Sequence, residues 1–213
     1  MNRIVLTILF TYCYCFAHID FYLDLKAGIG YSYENVILDN LSFLGYPPEK
    51  IIDKYYSLPI DICSSFGYKL NQYFQPEIEL NPCFYTKLQG EDNFNFCALS
   101  YNLGNRTDLL IGHLNCYLEE RIGLLQLIGI KSNESNNIGF GISAGYGIRL
   151  TQSIGIGCNI SYLTGYRRIE EDLVIQSPPP VTEHLSADFS YHAYSIIINF
   201  VYEFRFKIEK TNA

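Results

Sequence analysis

Residues 192–206 read HAYSIIINFVYEFRF. Tyr194, Ile196, Ile198, Phe200, Tyr202, Phe204 and Phe206 fall on one parity, whereas the other parity includes Ser195, Asn199, Glu203 and Arg205. A period of two puts the first set on one face of a β-strand and the second on the opposite face. In a soluble sheet the apolar face would lie on a core. The length of the run and the aromatics at both of its ends also suit a strand that crosses a bilayer, which takes about 9–11 residues between aromatic girdles. The rest of the chain decides between the two.

The pattern repeats. Over residues 21–33, Phe21, Leu23, Leu25, Ala27, Ile29, Tyr31 and Tyr33 alternate with Asp24, Lys26, two glycines and Ser32. Residues 60–70 and 74–84 alternate likewise, and a turn at 71–73 sets Leu70 opposite Phe74, so both apolar sets share one side. Pro76 and Pro82 each remove a ladder donor and predict a third strand that is bulged or short at its far end. Residues 138–150 and 154–162 form a second such hairpin about 151–153. Residues 110–119 and 124–131 alternate more weakly and are assigned as the fourth and fifth strands, which makes 120–123 a tight connection. Stretches 34–58, 87–106 and 164–191 lack a sustained period and carry prolines and charges, so they are expected as long loops, with a helical turn near 49–55 and a short strand at 96–103.

Residues 1–17 have a secretory signal pattern, with Arg3 ahead of an apolar run from Ile4 to Phe16 and small Ala17 at the expected cleavage position. Thr11 and Tyr12 are bulky for a lipobox ahead of Cys13 and Cys15, so simple cleavage is expected. A buried N-terminal element is the competing reading. The remaining residues, 18–213, form one domain, in which no apolar run of 18 or more residues suits a helical span. The chain of 213 residues is 48% hydrophobic and contains 19 Tyr, with a formal charge of −7. Such a composition can bury a core and excludes the disordered class. The charge argues against a nucleic-acid partner, because a phosphate-binding surface needs clustered Lys and Arg.

Eight strands with tight turns at one end and longer connections at the other predict an all-β fold, an eight-stranded antiparallel up-and-down transmembrane β-barrel. A soluble sandwich would keep apolar faces inside and polar faces outside. Here the apolar face carries the wide side chains, and the opposite face carries Gly, Ser, Asn and charges of both signs, which fits the narrow interior of a small barrel. The expected inward charges are Asp24, Lys26, Asp61, Lys69, Glu77, Glu79, Glu119, Arg149, Glu203 and Arg205.

The segments FYLDLKAGIGYSY (21–33), FGYKLNQYFQPEIEL (66–80), LIGI (127–130), FGISAGYGIRL (140–150) and FRF (204–206), in this order and spacing, resemble the family of small outer-membrane β-barrel proteins and bacterial surface antigens, related in architecture to the outer-membrane protein A transmembrane domain. The resemblance implies the bacterial outer membrane, with its lipids and the barrel-assembly machinery as partners. It also implies a role as surface antigen, adhesin or structural envelope component, or as a minor porin. Family members usually end on the terminal aromatic, whereas residues 207–213 follow it here, and Val201 stands where a small residue is common.

Little chemistry suggests catalysis. Glu77 and Glu79 point the same way from one strand, which suits acid–base work but suits a lumen cluster with Lys26, Lys69 and Arg149 better. A lipid-modifying enzyme would need a base and a nucleophile within reach, drawn from His192, His184 and Ser195. His192 and Ser195 have opposite parity and so face opposite sides of the strand. No catalytic residue is assigned, and no cofactor or metal is implied, since CxxC pairs, His clusters and phosphate loops are missing from the sequence. Cys63, Cys83, Cys97, Cys116 and Cys158 remain after cleavage. A Cys63–Cys83 disulfide is compatible with their diagonal placement and not compelled by it. The expected function is therefore a non-catalytic envelope barrel that meets a host or envelope partner through its long loops. A narrow porin-like channel is the alternative, and a lipid-modifying enzyme a weaker one.

Overall fold

A computed structural model describes residues 18–42, 49–88, 95–128, 138–175 and 181–209. The signal-peptide assignment for 1–17 lies outside these residues. Eight strands follow in order: β1 (His18–Ser42), β2 (Glu49–Lys69), β3 (Gln75–Lys87), β4 (Asn95–Ile111), β5 (Leu114–Ile128), β6 (Ile138–Arg149), β7 (Ile154–Ile175) and β8 (Val181–Glu209). Each pairs antiparallel with the next, and β8 pairs with β1, so the sheet closes into a barrel with no free edge at its waist. Phe21 sits opposite Phe206 and Tyr33 opposite Tyr194, which makes β8 the closing seam.

Side chains are distributed inside out. Ile198 is 62% exposed, Leu103 64% and Ile160 62%, whereas Asp24 is 0% exposed and Lys26 5%. A water-soluble protein buries the first kind and exposes the second; a barrel whose outer wall meets hydrocarbon does the reverse. Aromatics bound this apolar band. Phe21 stacks on Phe66 with centroids 5.7 Å apart near the short-turn end, and Tyr31 stacks on Tyr56 at 5.3 Å near the other.

The hairpins expected about 71–73 and 151–153 form, and each is pinned by one side chain. Asn71 Oδ1 accepts from the Tyr73 and Phe74 backbone N–H groups at 2.8 and 2.9 Å. Thr151 Oγ1 does the same for Ser153 and Ile154 at 3.2 and 3.0 Å. These local bonds mimic a backbone turn.

The fourth and fifth strands need correction. Residues 110–119 are not one strand: they straddle a turn at Gly112 and His113, and 120–123 lies inside β5. Gly112 takes φ 63°, a value open to glycine and required at the first position of a tight two-residue hairpin loop.

The long loops are corrected too. β1 continues to Ser42 and β2 starts at Glu49, so 34–58 is mostly strand and 49–55 is not helical. β4 covers 95–111, which removes most of the 87–106 loop, and β7 and β8 cover all of 164–191 except 176–180. The alternation fades in these segments because both faces become mixed above the upper aromatics: Val36 and Leu38 face inward, while Asn35 and Asp39 face outward. β3 likewise runs its full length without a register shift. Its ladder to β2 skips only the positions around Pro82, where the donor is missing.

Among the described residues the barrel is consequently lopsided: β6 pairs with β7 up to Tyr166, and β3 with β2 from Ser57, while β2, β1, β8 and β7 continue together as a four-stranded wall. From Tyr33 to Ser42 at about 3.3 Å per residue and a tilt near 40°, this wall rises roughly 20 Å beyond the girdle.

Candidate functional site

The lumen is the candidate site, and it is filled in layers. Nearest the short turns, Arg106 is 1% exposed and binds Asp24 at 2.6 Å and Glu203 at 2.8 Å. Its guanidinium carbon lies over the rings of Tyr117 and Tyr22, 4.4 and 5.1 Å from their centroids. Arg149 bridges Asp108 at 2.9 Å and Glu203 at 3.2 Å, and Lys69 reaches Asp108 at 2.8 Å. One layer up, Arg121 binds Glu77 at 2.8 Å and Glu79 at 2.9 Å, and Lys26 binds Glu119 at 2.8 Å. Tyr22 donates to Glu77 at 3.1 Å, which ties the two layers together. Ions removed from water in this way hold only when each is met by partners of opposite sign.

Every expected inward charge faces the lumen except at the rim, where the Arg205 side chain is 47% exposed. The clusters differ in membership from the expectation. Glu77 and Glu79 meet Arg121 and Lys26, whereas Lys69 and Arg149 serve Asp108. The two central cations, Arg106 and Arg121, went unassigned because Arg106 ended an expected loop and Arg121 lay in an expected turn. The matching alternation of Gly104 and Arg106, or of Glu119, Arg121 and Gly123, was the available signal.

Above the charges lies a band of small polar side chains around a cavity of about 30 Å³, lined in part by Asn81, Ser100, Asn102, Ser143, Asn159 and Ser161. That is room for about one water molecule. An apolar plug follows, in which Tyr85, Leu125, Leu163, Phe189, Tyr191 and Ile197 pack together with Val36 and Leu38. Beside it, Glu34 is fully buried and accepts a hydrogen bond from Ser57. Ser195 Oγ donates to Ser32 Oγ at 2.9 Å.

His192 and Ser195 do not come together. Ser195 faces the lumen, whereas His192 faces outward, with Nδ1 2.9 Å from Tyr162 Oη and 3.1 Å from Thr164 Oγ1. His184 lies in the β8 ladder opposite Asp172, and its side chain is outside the described set. Among the described residues no group of three or more His, Cys, Asp or Glu forms a metal-binding cluster. The five cysteines among the described residues are free thiols: Cys63 and Cys83 face the lumen without bonding to each other, and Cys116 accepts from Tyr146 Oη at 3.1 Å.

No protein-family model and no curated protein sequence matches the chain. Solved structures do match. OprG of Pseudomonas aeruginosa aligns with a TM-score of 0.52 at 14% identity, over 87% of this chain and 95% of that one. Neisserial surface protein A aligns at 0.48 and 13% identity, over 86% and 97% of the two chains, and Ail of Yersinia pestis at 0.36 and 13%, over 87% and 99%. The OprG alignment carries the likeness, which is one of fold. With its closed order β1 to β8, its inside-out wall and its packed lumen, the chain has the fold of the small eight-stranded outer-membrane β-barrels.

Proposed function

We propose that the protein resides in the bacterial outer membrane as a non-catalytic barrel that displays its β2–β1–β8–β7 wall at the cell surface, as a surface antigen or adhesin-like component. The single observation that carries this reading is the asymmetry of the described barrel: among the described residues four strands continue beyond the upper aromatics and the other four do not. A rigid scaffold that raises one sheet above the membrane presents the connections at its tip for partner contact. The packed lumen favours this reading over the porin-like alternative, since the cavity among its small polar side chains holds only about 30 Å³. A host or envelope partner is expected at the tip of the wall, within the stretches 34–58 and 164–191.

Proteinase K on intact cells tests the reading. Cleavage confined to the wall and its tips, with the segments below the girdle protected, is expected. A chain that is untouched on intact cells but cut after the outer membrane is opened would place the wall on the other side and overturn it.

A further inference from the structure

Glu120 breaks the pattern of the outer wall. Its neighbours in β5, Glu119 and Arg121, are buried in the lumen, which puts Glu120 on the outer face with exposed Leu118, Ile122 and Leu124. It stands near the middle of a strand of 15 residues. Counted up from Leu114 at about 3.3 Å per residue and a tilt near 40°, it lies roughly 15 Å above the short-turn end, deep in an apolar band about 25 Å tall. Among the described residues it is the single Asp, Glu, Lys or Arg on the outward parity between the lower and upper aromatics. It has no hydrogen bond or ion pair among them. A carboxyl that faces hydrocarbon alone is costly, and such a residue points to a contact with something other than lipid.

The surroundings of Glu120 define that contact. Asn105 stands directly opposite it in the β4–β5 ladder and Ala144 in the β5–β6 ladder, with Pro76 beyond Asn105. These short side chains form a row with larger ones on either side, Leu103 and Ile122 above and Leu118 and Tyr146 below. Asn105 Oδ1 is occupied, since it accepts from the Gln75 backbone N–H at 3.0 Å. Its Nδ2 makes only long contacts, 3.4 Å to the Tyr73 carbonyl and 3.5 Å to Thr107 Oγ1, and so retains a hydrogen to donate. One face therefore carries an acceptor that lacks a donor beside a donor that lacks a close acceptor. Two copies inserted in the same sense are related by a twofold axis along the membrane normal. With that axis between β4 and β5, the β5 of each copy faces the β4 of the other, and the carboxyl and the amide meet twice. Apolar surfaces gain little by leaving lipid, so hydrogen bonds and close packing decide association there, as between membrane helices.

We propose that the protein pairs with a second copy of itself through the β4–β5 face, Asn105 Nδ2 of each copy donating to the Glu120 carboxyl of the other. The inference rests on the membrane reading above. In the closed strand order this face lies across the barrel from the β8–β1 seam, so the pair leaves both walls free at the surface.

Sedimentation equilibrium of the refolded protein in density-matched detergent micelles tests the pairing, and a faster unboiled band on gels reports that each variant is folded. The wild type is expected to reach twice the monomer mass as the ratio of protein to detergent rises. Glu120→Leu removes a polar group from the apolar band and should still fold, but its dissociation constant should rise about tenfold or more. Asn105→Asp keeps the acceptor for the Gln75 amide, removes the donor and should weaken the pair as much. Glu120→Gln keeps an acceptor oxygen and should restore the pairing that Glu120→Leu loses. A folded wild type that stays monomeric at every ratio overturns the proposal, even if a different protein accompanies it in native membranes. So does a Glu120→Leu variant that pairs as tightly as wild type. A wild type that never shows the folded band sinks the membrane reading along with it.

Discussion

The ring of Tyr117 occupies the place of a side chain at Gly147: a Cβ there would come within 2.1 Å of the tyrosine Cζ. The two residues face each other across the β5–β6 ladder, and the same ring carries the Arg106 guanidinium on its face. Gly147→Ala therefore pushes Tyr117 off its seat and loosens Arg106 in the same movement. A loss of about 1–3 kcal/mol is expected, the usual cost of overpacking a filled interior. At Gly145, by contrast, an added Cβ would meet nothing nearer than 3.4 Å. Urea titrations of the two alanine variants in lipid vesicles should separate them, and equal midpoints would count against this packing.

Arg106 is the cation on which the lower layer depends. Arg106→Ala removes the ion pairs to Asp24 at 2.6 Å and Glu203 at 2.8 Å inside the barrel, an expected cost of about 3–5 kcal/mol. Lys50 pairs with Asp39 on the exposed wall, where both side chains are about half accessible. Lys50→Ala should change stability by less than about 1 kcal/mol. Similar unfolding midpoints for the two variants would show that the lumen cluster is far weaker than its geometry implies.

On the outer wall the prediction depends on the solvent. Ile198 lies mid-band opposite Ile29 and Cys158. Ile198→Arg should cost about 2–4 kcal/mol if that position faces the middle of a bilayer. In a water-soluble barrel the same exposed substitution would be close to neutral. Refolding yield and stability in vesicles decide between them.

Residues 207–209 are part of β8 and continue its ladder with β1, from Lys207 opposite Asp20 to Glu209 opposite His18. The aromatic terminus expected at Phe206 is therefore inside a strand, three residues before its end. Truncation after Phe206 removes only these last pairs and keeps the seam from Phe21–Phe206 to Asp39–Asp188. The shortened barrel should still fold and show the faster unboiled band, and loss of that band would mean that residues 207–213 are needed to close the seam.

The sequence shows the barrel most clearly where lipid and lumen impose opposite chemistry on alternate residues. The run from Phe21 to Tyr33, both hairpins about 71–73 and 151–153, and the closing strand were all legible for that reason. Above the upper girdle the contrast disappears: Glu34, Val36 and Leu38 all face inward, so no polarity pattern marks the wall, and it read as loop. The fourth and fifth strands were lost differently. Cys116 and Leu118 continue the outward parity of β5, but Leu110 belongs to β4, and only the φ 63° turn at Gly112 separates them. That one shifted turn hid Arg121, and the loop assigned before it hid Arg106. The acidic half of the lumen was therefore visible without Arg106 and Arg121, two of the cations that hold it.

The most direct measurement is the gel mobility, boiled and unboiled, of the protein extracted from fractionated cells. A closed barrel in the outer membrane predicts that the chain is recovered in the outer-membrane fraction and migrates faster before boiling than after. Recovery in the soluble fraction, with a single mobility before and after boiling, would contradict the account.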